Sequence, residues 1–171
     1  MYLVLSAADD DDGNMVGFTY KKDHRARSFQ QGQRFSDDPE TKEWNRPPKV
    51  PIRLDVKKGR EKLQLPSFLA EPAPLMSKAL VELLRKLGAK NIDVYEAELY
   101  DFNGKLLSED YYLVNVVDVA SPKEAKEKGL LIFRIVDDEV ELAVHQRVRE
   151  AVEAANLPLV RFFDREYLRA V

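Results

Sequence analysis

Tyr111-Tyr112-Leu113-Val114-Asn115-Val116-Val117-Asp118 is an aromatic and β-branched run with one amide in the middle. Aromatic and β-branched side chains pack well on a pleated surface, so this run reads as a strand buried on both faces. Asn115 interrupts it. A buried amide without partners costs about 1–3 kcal/mol. Asn115 is therefore expected to bond to the backbone of a neighbouring loop and pin that loop to the sheet. The alternative is an amide projecting into a functional cleft.

The surrounding pattern supplies the other elements. Ile92 to Leu99 alternates, and its period slips between Val94 and Ala97, where a β-bulge or strand break is expected. Asn103-Gly104 predicts a tight hairpin turn, which makes the 111–118 strand antiparallel to its predecessor. Leu75, Met76, Ala79, Leu80, Leu83, Leu84 and Leu87 recur at helical spacing. Pro74 suits the first turn of that helix and Gly88 its C′ position. Ser121 and Glu124 form a capping box before a short helix ending at Gly129. Leu130 to Val136, Val140 to Val144 and Leu159 to Phe163 read as strands, and His145 to Ala155 as a second long helix with Val148, Val152 and Ala155 on one face.

At the other end, Tyr2 to Leu5 is a short strand, and Pro51 demotes Val50 to Val56 to an edge strand or extended segment. Residues 9–49 are polar and charged, with Phe18, Tyr20, Phe29, Phe35 and Trp44 scattered without a period. They predict an irregular arm over 7–48, either flexible or a partly ordered flap, anchored at Trp44. The fold class expected is α+β in one domain over 1–171: an antiparallel or mixed sheet, two main helices packed against it, and this N-terminal arm.

Composition narrows the function. A formal net charge of −3 over 171 residues argues against direct nucleic-acid binding, which needs a concentrated basic face. Lys21, Lys22, Arg25, Arg27 and Arg34 with nearby aromatics are such a stretch, but Asp23, Asp37 and Asp38 dilute it. With no Cys, disulfides, thiol catalysis and Cys-based zinc sites are excluded. No apolar stretch reaches membrane-spanning length, and the N-terminus lacks a secretory pattern, so a cytoplasmic location is expected.

Catalytic candidates are few. His24 and His145 lie far apart in sequence with no metal-ligand spacing, and read as surface or capping residues. Asp9 to Asp12 fails the calcium-loop spacing in both registers tried. No phosphate-binding glycine loop occurs. Neither cofactor nor metal is expected. One charged stretch stands out: Asp93, Glu96, Glu98, Asp101, Glu109 and Asp110 against Lys105 alone, a local balance of −5. These carboxylates read as a solvated sheet edge, as a docking patch for a basic partner, or as ligands of a metal-dependent hydrolase.

The 111–118 run also resembles the Tyr-Tyr-Leu-Val-Asn-Val signature of a bacterial immunity-protein family, family eleven of the polymorphic toxin systems, first catalogued as a domain of unknown function. Leu65-Pro66-Ser67-Phe68-Leu69, Ser77, Leu131-Ile132-Phe133-Arg134 and Trp44 with its following prolines are similar to further elements of that family. The resemblance spans about Trp44 to Phe163. It implies a non-catalytic protein that binds a cognate toxin and blocks it in interbacterial competition. The −5 stretch suits a basic, nuclease-type toxin. On this reading the six carboxylates contact the partner, whereas Asn115, Tyr112 and Trp44 serve the scaffold.

Overall fold

The computed structural model describes residues 1–9, 17–20, 26–57 and 64–169. His24, Asp10 to Asp12, Lys21, Lys22 and Arg25 lie outside these residues. The chain is a mixed α+β protein with two sheets, each containing both parallel and antiparallel neighbours, and five α-helices among the described residues.

The first sheet orders its strands as β11 (Val160–Phe163), β1 (Tyr2–Ala7), β10 (Asp138–His145), β9 (Ile132–Ile135) and β8 (Val119–Ala120). The second runs β2 (Phe18–Thr19), β3 (Ile52–Val56), β6 (Ile92–Tyr100), β7 (Leu106–Val116), β5 (Leu75–Ser77) and β4 (Phe68–Leu69). β7 is thus interior. Its Leu113 joins one buried cluster while Val114 and Val116 join another, so both of its faces are covered.

Two helices bind the sheets together. α2 (Lys78–Leu87) buries Leu80, Val81 and Leu84, and α4 (Gln146–Ala154) buries Val148 and Val152. These side chains share one cluster with Val114 and Val116 of the second sheet and Leu5, Ile132, Leu142 and Val144 of the first. Each fully buried aliphatic side chain of this kind stabilises by about 1.5–3 kcal/mol. α3 (Pro122–Lys128) and α5 (Glu166–Arg169) cover the other side of the first sheet through Ala125 and Leu168.

Helix ends follow their local chemistry. Ser121 and Glu124 make the expected capping box, and Gly129 takes the left-handed C-cap. His145 caps α4, its Nδ1 accepting the Arg147 N–H at 3.2 Å. α2 begins later than its apolar period predicts. Leu75 and Met76 belong to β5 and pair with Leu113 and Tyr112. Two adjacent apolar residues satisfy either element, and pairing with β7 decides between them. Ser77 is the N-cap, accepting the Leu80 N–H at 3.2 Å. As a result Ala79 is exposed and Val81 buried.

Three further expectations are corrected. β3 is an internal strand, antiparallel to β2 and parallel to β6. Pro51 precedes it, so the missing N–H falls outside the ladder. Between Val94 and Ala97, β6 pairs regularly with β7. The irregularity comes next, where β7 advances three residues, Tyr111 to Ser108, while β6 advances two, Ala97 to Leu99. The described part of the 7–48 arm is largely irregular, as expected, but docked on the sheet. β2 pairs with β3, and α1 (Ala26–Gln30) carries Phe29, fully buried, edge-on to Phe35 and Tyr95 at 5.1 and 5.5 Å. Phe35 also packs edge-on to Tyr95 at 5.5 Å. Trp44 is not an anchor: it sits in a single 3₁₀ turn, 51% exposed, with the Lys42 ammonium 5.2 Å from its ring. Among the described residues no helix is long and apolar enough to cross a membrane.

Candidate binding face

The second sheet sorts the six predicted carboxylates by strand parity. On β6, Tyr95, Ala97 and Leu99 point to the side covered by the arm, and Ile92 and Val94 to the side covered by α2. Alternation puts Asp93 with the first set and Glu96 and Glu98 with the second. Glu96 and Glu98 lie beside Lys78, the first residue of α2. The β7 irregularity falls at Glu109 and Asp110. Extra residues at such a point leave the regular pleat, and both are exposed here.

Four of the acids are brought together and two are not. Glu96, Glu98 and Glu109 line one shallow depression with Pro51 and Lys78, and Asp110 lies 4.0 Å from the Lys78 ammonium. Asp101 instead closes the hairpin turn, its Oδ1 accepting the N–H groups of Asn103 and Lys105 at 2.9 and 2.8 Å. Asp93 lies on the opposite face, where its charge, after burial, helps raise the Tyr95 pKa.

Cations on this face are largely committed. Arg53 donates Nε and Nη2 to Asp55 Oδ1 at 3.1 and 2.9 Å while its guanidinium lies 4.1 Å from the Tyr100 ring centre. Tyr100 in turn donates to Glu98 at 2.6 Å, a bond that raises the phenol's pKa. Lys78 is shared between Asp110 and the face of Tyr112, whose ring centre is 5.8 Å away. The patch therefore keeps a negative balance. Apolar surface flanks it: Phe102 and Leu106 at the hairpin end are 50% and 41% exposed, and Val50 is also exposed. The arrangement offers aromatic and aliphatic anchors rimmed by carboxylates on a rigid sheet. Among the described residues no group of three His, Cys, Asp or Glu side chains is placed to hold a metal ion.

Behind this face lies the residue that sequence reading missed. Arg134 of β9 is 0% exposed. It donates Nε to Val116 O at 2.9 Å, Nη1 to Glu139 O at 2.6 Å, and Nη2 to Phe29 O. The cation is held by three carbonyl groups, and burial lowers its pKa to about 10. These bonds tie β9, β7, β10 and α1 together. Asn115, also 0% exposed, adds a bond from Nδ2 to Gln33 O at 2.7 Å, while its Oδ1 has no partner among the described residues. The signal was present in the sequence: one charge inside the apolar run Leu131-Ile132-Phe133-Arg134-Ile135. A guanidinium there either snorkels out or is fully bonded within.

Tyr111 completes the scaffold, donating its hydroxyl to Pro66 O at 2.8 Å. Burial pushes its pKa to about 12. A phenol whose folded pKa is raised stabilises fully below its ordinary value of 10 and loses that contribution as pH rises toward 12. Over that window Tyr111 is expected to subtract roughly 2–3 kcal/mol. The urea midpoint should fall less steeply with pH in Tyr111→Phe than in the parent. Parallel curves would show that Tyr111 does not titrate late.

Comparison with protein-family models and with curated proteins finds no match to this chain. The functional reading therefore rests on the residues and their geometry.

Proposed function

We propose that the protein is a cytoplasmic bacterial immunity protein that binds a cognate toxin and neutralises it by occlusion, without catalysis. The carrying observation is the face built by Glu96, Glu98, Glu109 and Asp110, flanked by exposed Phe102 and Leu106. Apolar anchors supply contact energy, and a negative rim steers and orients a basic partner. A basic, nuclease-type toxin fits this chemistry. The resemblance of Tyr111 to Asp118 to the immunity-family signature supports the same reading. In it, α2 and α4 are the two main helices that stiffen the sheet, and the described part of the 7–48 arm clasps the opposite face.

Co-expression with the product of the adjacent gene tests this. The pair should co-purify, and the host should survive the toxin only when this protein is present. Glu96→Lys with Glu98→Lys is expected to weaken the complex at least about tenfold, mostly by slowing association, with the loss shrinking at high salt. Full protection by the doubly reversed protein would remove the acidic face from the interface. Absence of any complex with neighbouring gene products would overturn the immunity reading.

A further inference from the structure

We propose that a second site, a cavity beside the α3–β9 loop, binds a small organic anion: a carboxylate or phosphate monoester carried on an apolar stem. The cavity has a volume of about 520 Å³. That lies within the range of small-molecule pockets, which are concave and largely apolar with a few polar groups that set orientation. Tyr2, Leu130, Leu131 and Leu168 provide the apolar wall, and Lys126 and Arg147 stand at it as cations.

Charge distinguishes this cavity from an ordinary surface dent. No Asp or Glu appears among its described lining residues, in a chain whose acids outnumber its bases. Arg169 also lines it, but Asp164 holds that guanidinium through two bonds of 2.8 and 2.7 Å. Lys126 and Arg147 have no carboxylate within ion-pair distance among the described residues. Two uncommitted cations over an apolar wall are matched by one anionic head on an apolar body.

His145 reports the same local field. Its Nδ1 is occupied by the Arg147 N–H, so the neutral ring carries its proton on Nε2, a further donor. Burial and neighbouring positive charge, Arg147 included, push its pKa below the usual value. The Arg147 N–H is thereby already spent, and the site rests on side chains rather than on the end of α4. This cavity is separate from the acidic face, and neither proposal depends on the other.

Isothermal titration of the full chain tests the site with four probes: octanoate, octyl phosphate, 1-octanol and inorganic phosphate. Octanoate or octyl phosphate should bind at least tenfold tighter than either octanol or phosphate alone. Lys126→Gln and Arg147→Gln should each weaken that binding several-fold, and together abolish it, with the melting temperature unchanged because both side chains are exposed. Equal affinity for octanol would show only an apolar dent. Equal affinity for inorganic phosphate would show an adventitious ion only. Undiminished octanoate binding by the double variant would also overturn the assignment.

Discussion

Arg134→Ala is expected to destabilise the protein by about 3–5 kcal/mol, enough to leave a marginal domain largely unfolded. Three effects combine. The carbonyls of Val116 and Phe29 lose their donor in the interior, and each such group costs about 1–3 kcal/mol when left unpaired; the Glu139 carbonyl loses its donor at a partly buried site. A void opens where one of the largest fully buried side chains stood. The bond that joins α1 to β9 is lost. Arg134→Lys should rescue little, because a single ammonium cannot span three carbonyls that the planar fork reaches. Urea denaturation measures both variants. A loss under about 1 kcal/mol for Arg134→Ala would mean that water or neighbouring groups satisfy the carbonyls, and the clamp would not be structural.

Gly32→Ala is expected to cost roughly 2–4 kcal/mol. The chain turns there with φ +67°, in the left-handed region, and an added Cβ would sit 2.4 Å from Val116 O and 2.9 Å from Arg134 Cδ and Nε. Neither neighbour gives way easily, since one is strand backbone and the other is a guanidinium bonded on three sides. Gly88 provides the internal comparison. It too has a positive φ, +106°, but nothing lies within 4 Å of an added Cβ. Gly88→Ala should therefore cost only the backbone term, about 1–2 kcal/mol. Thermal melts of the two variants separate strain from steric clash. Equal losses would show that the turn after α1 can lift from the sheet junction, against the tight seating described above.

These residues bear on the proposed function through rigidity. Arg134 and Asn115 fasten the segment from Phe29 to Gln33 over one face of the β6–β7 pair. The acidic patch occupies the opposite face of β6, beside Lys78. A partner docking there meets a sheet held from behind, so little ordering cost accompanies binding. Defects at Arg134 or Gly32 should therefore appear as lost stability first. Charge reversal at Glu96 and Glu98 should appear as lost binding with stability retained.

Much of the element order was legible in the chain. Alternation marked β6, β-branched and aromatic residues marked β7, and the Ser121–Glu124 box and Gly129 bounded α3. These signals are local, carried by residues a few positions apart whose backbone preferences need no distant partner. Errors clustered where a local pattern suited two outcomes. Leu75 and Met76 continue the helical period of α2 yet pair as β5, and Pro51 suggests an edge at a strand that lies inside the sheet.

The candidate face was legible only in part. The excess of carboxylates between Asp93 and Asp110 is plain in the sequence. Strand parity, the β7 irregularity and the hairpin turn then dispersed them: Asp93 to the far face, Asp101 into the turn, and Glu96, Glu98, Glu109 and Asp110 around Lys78. That sorting depends on pairing between strands, which no short stretch specifies.

Residue types and their spacing established a mixed α+β chain without thiol chemistry, with an interior β7 and an amide buried in it. Which carbonyls Arg134 and Asn115 would meet, and which charges would share a surface, was left to packing. Those partners lie between 5 and 105 residues away along the chain. A buried donor is satisfied by whatever acceptor the folded backbone brings within bonding distance, and only the packed sheets and helices settle that geometry.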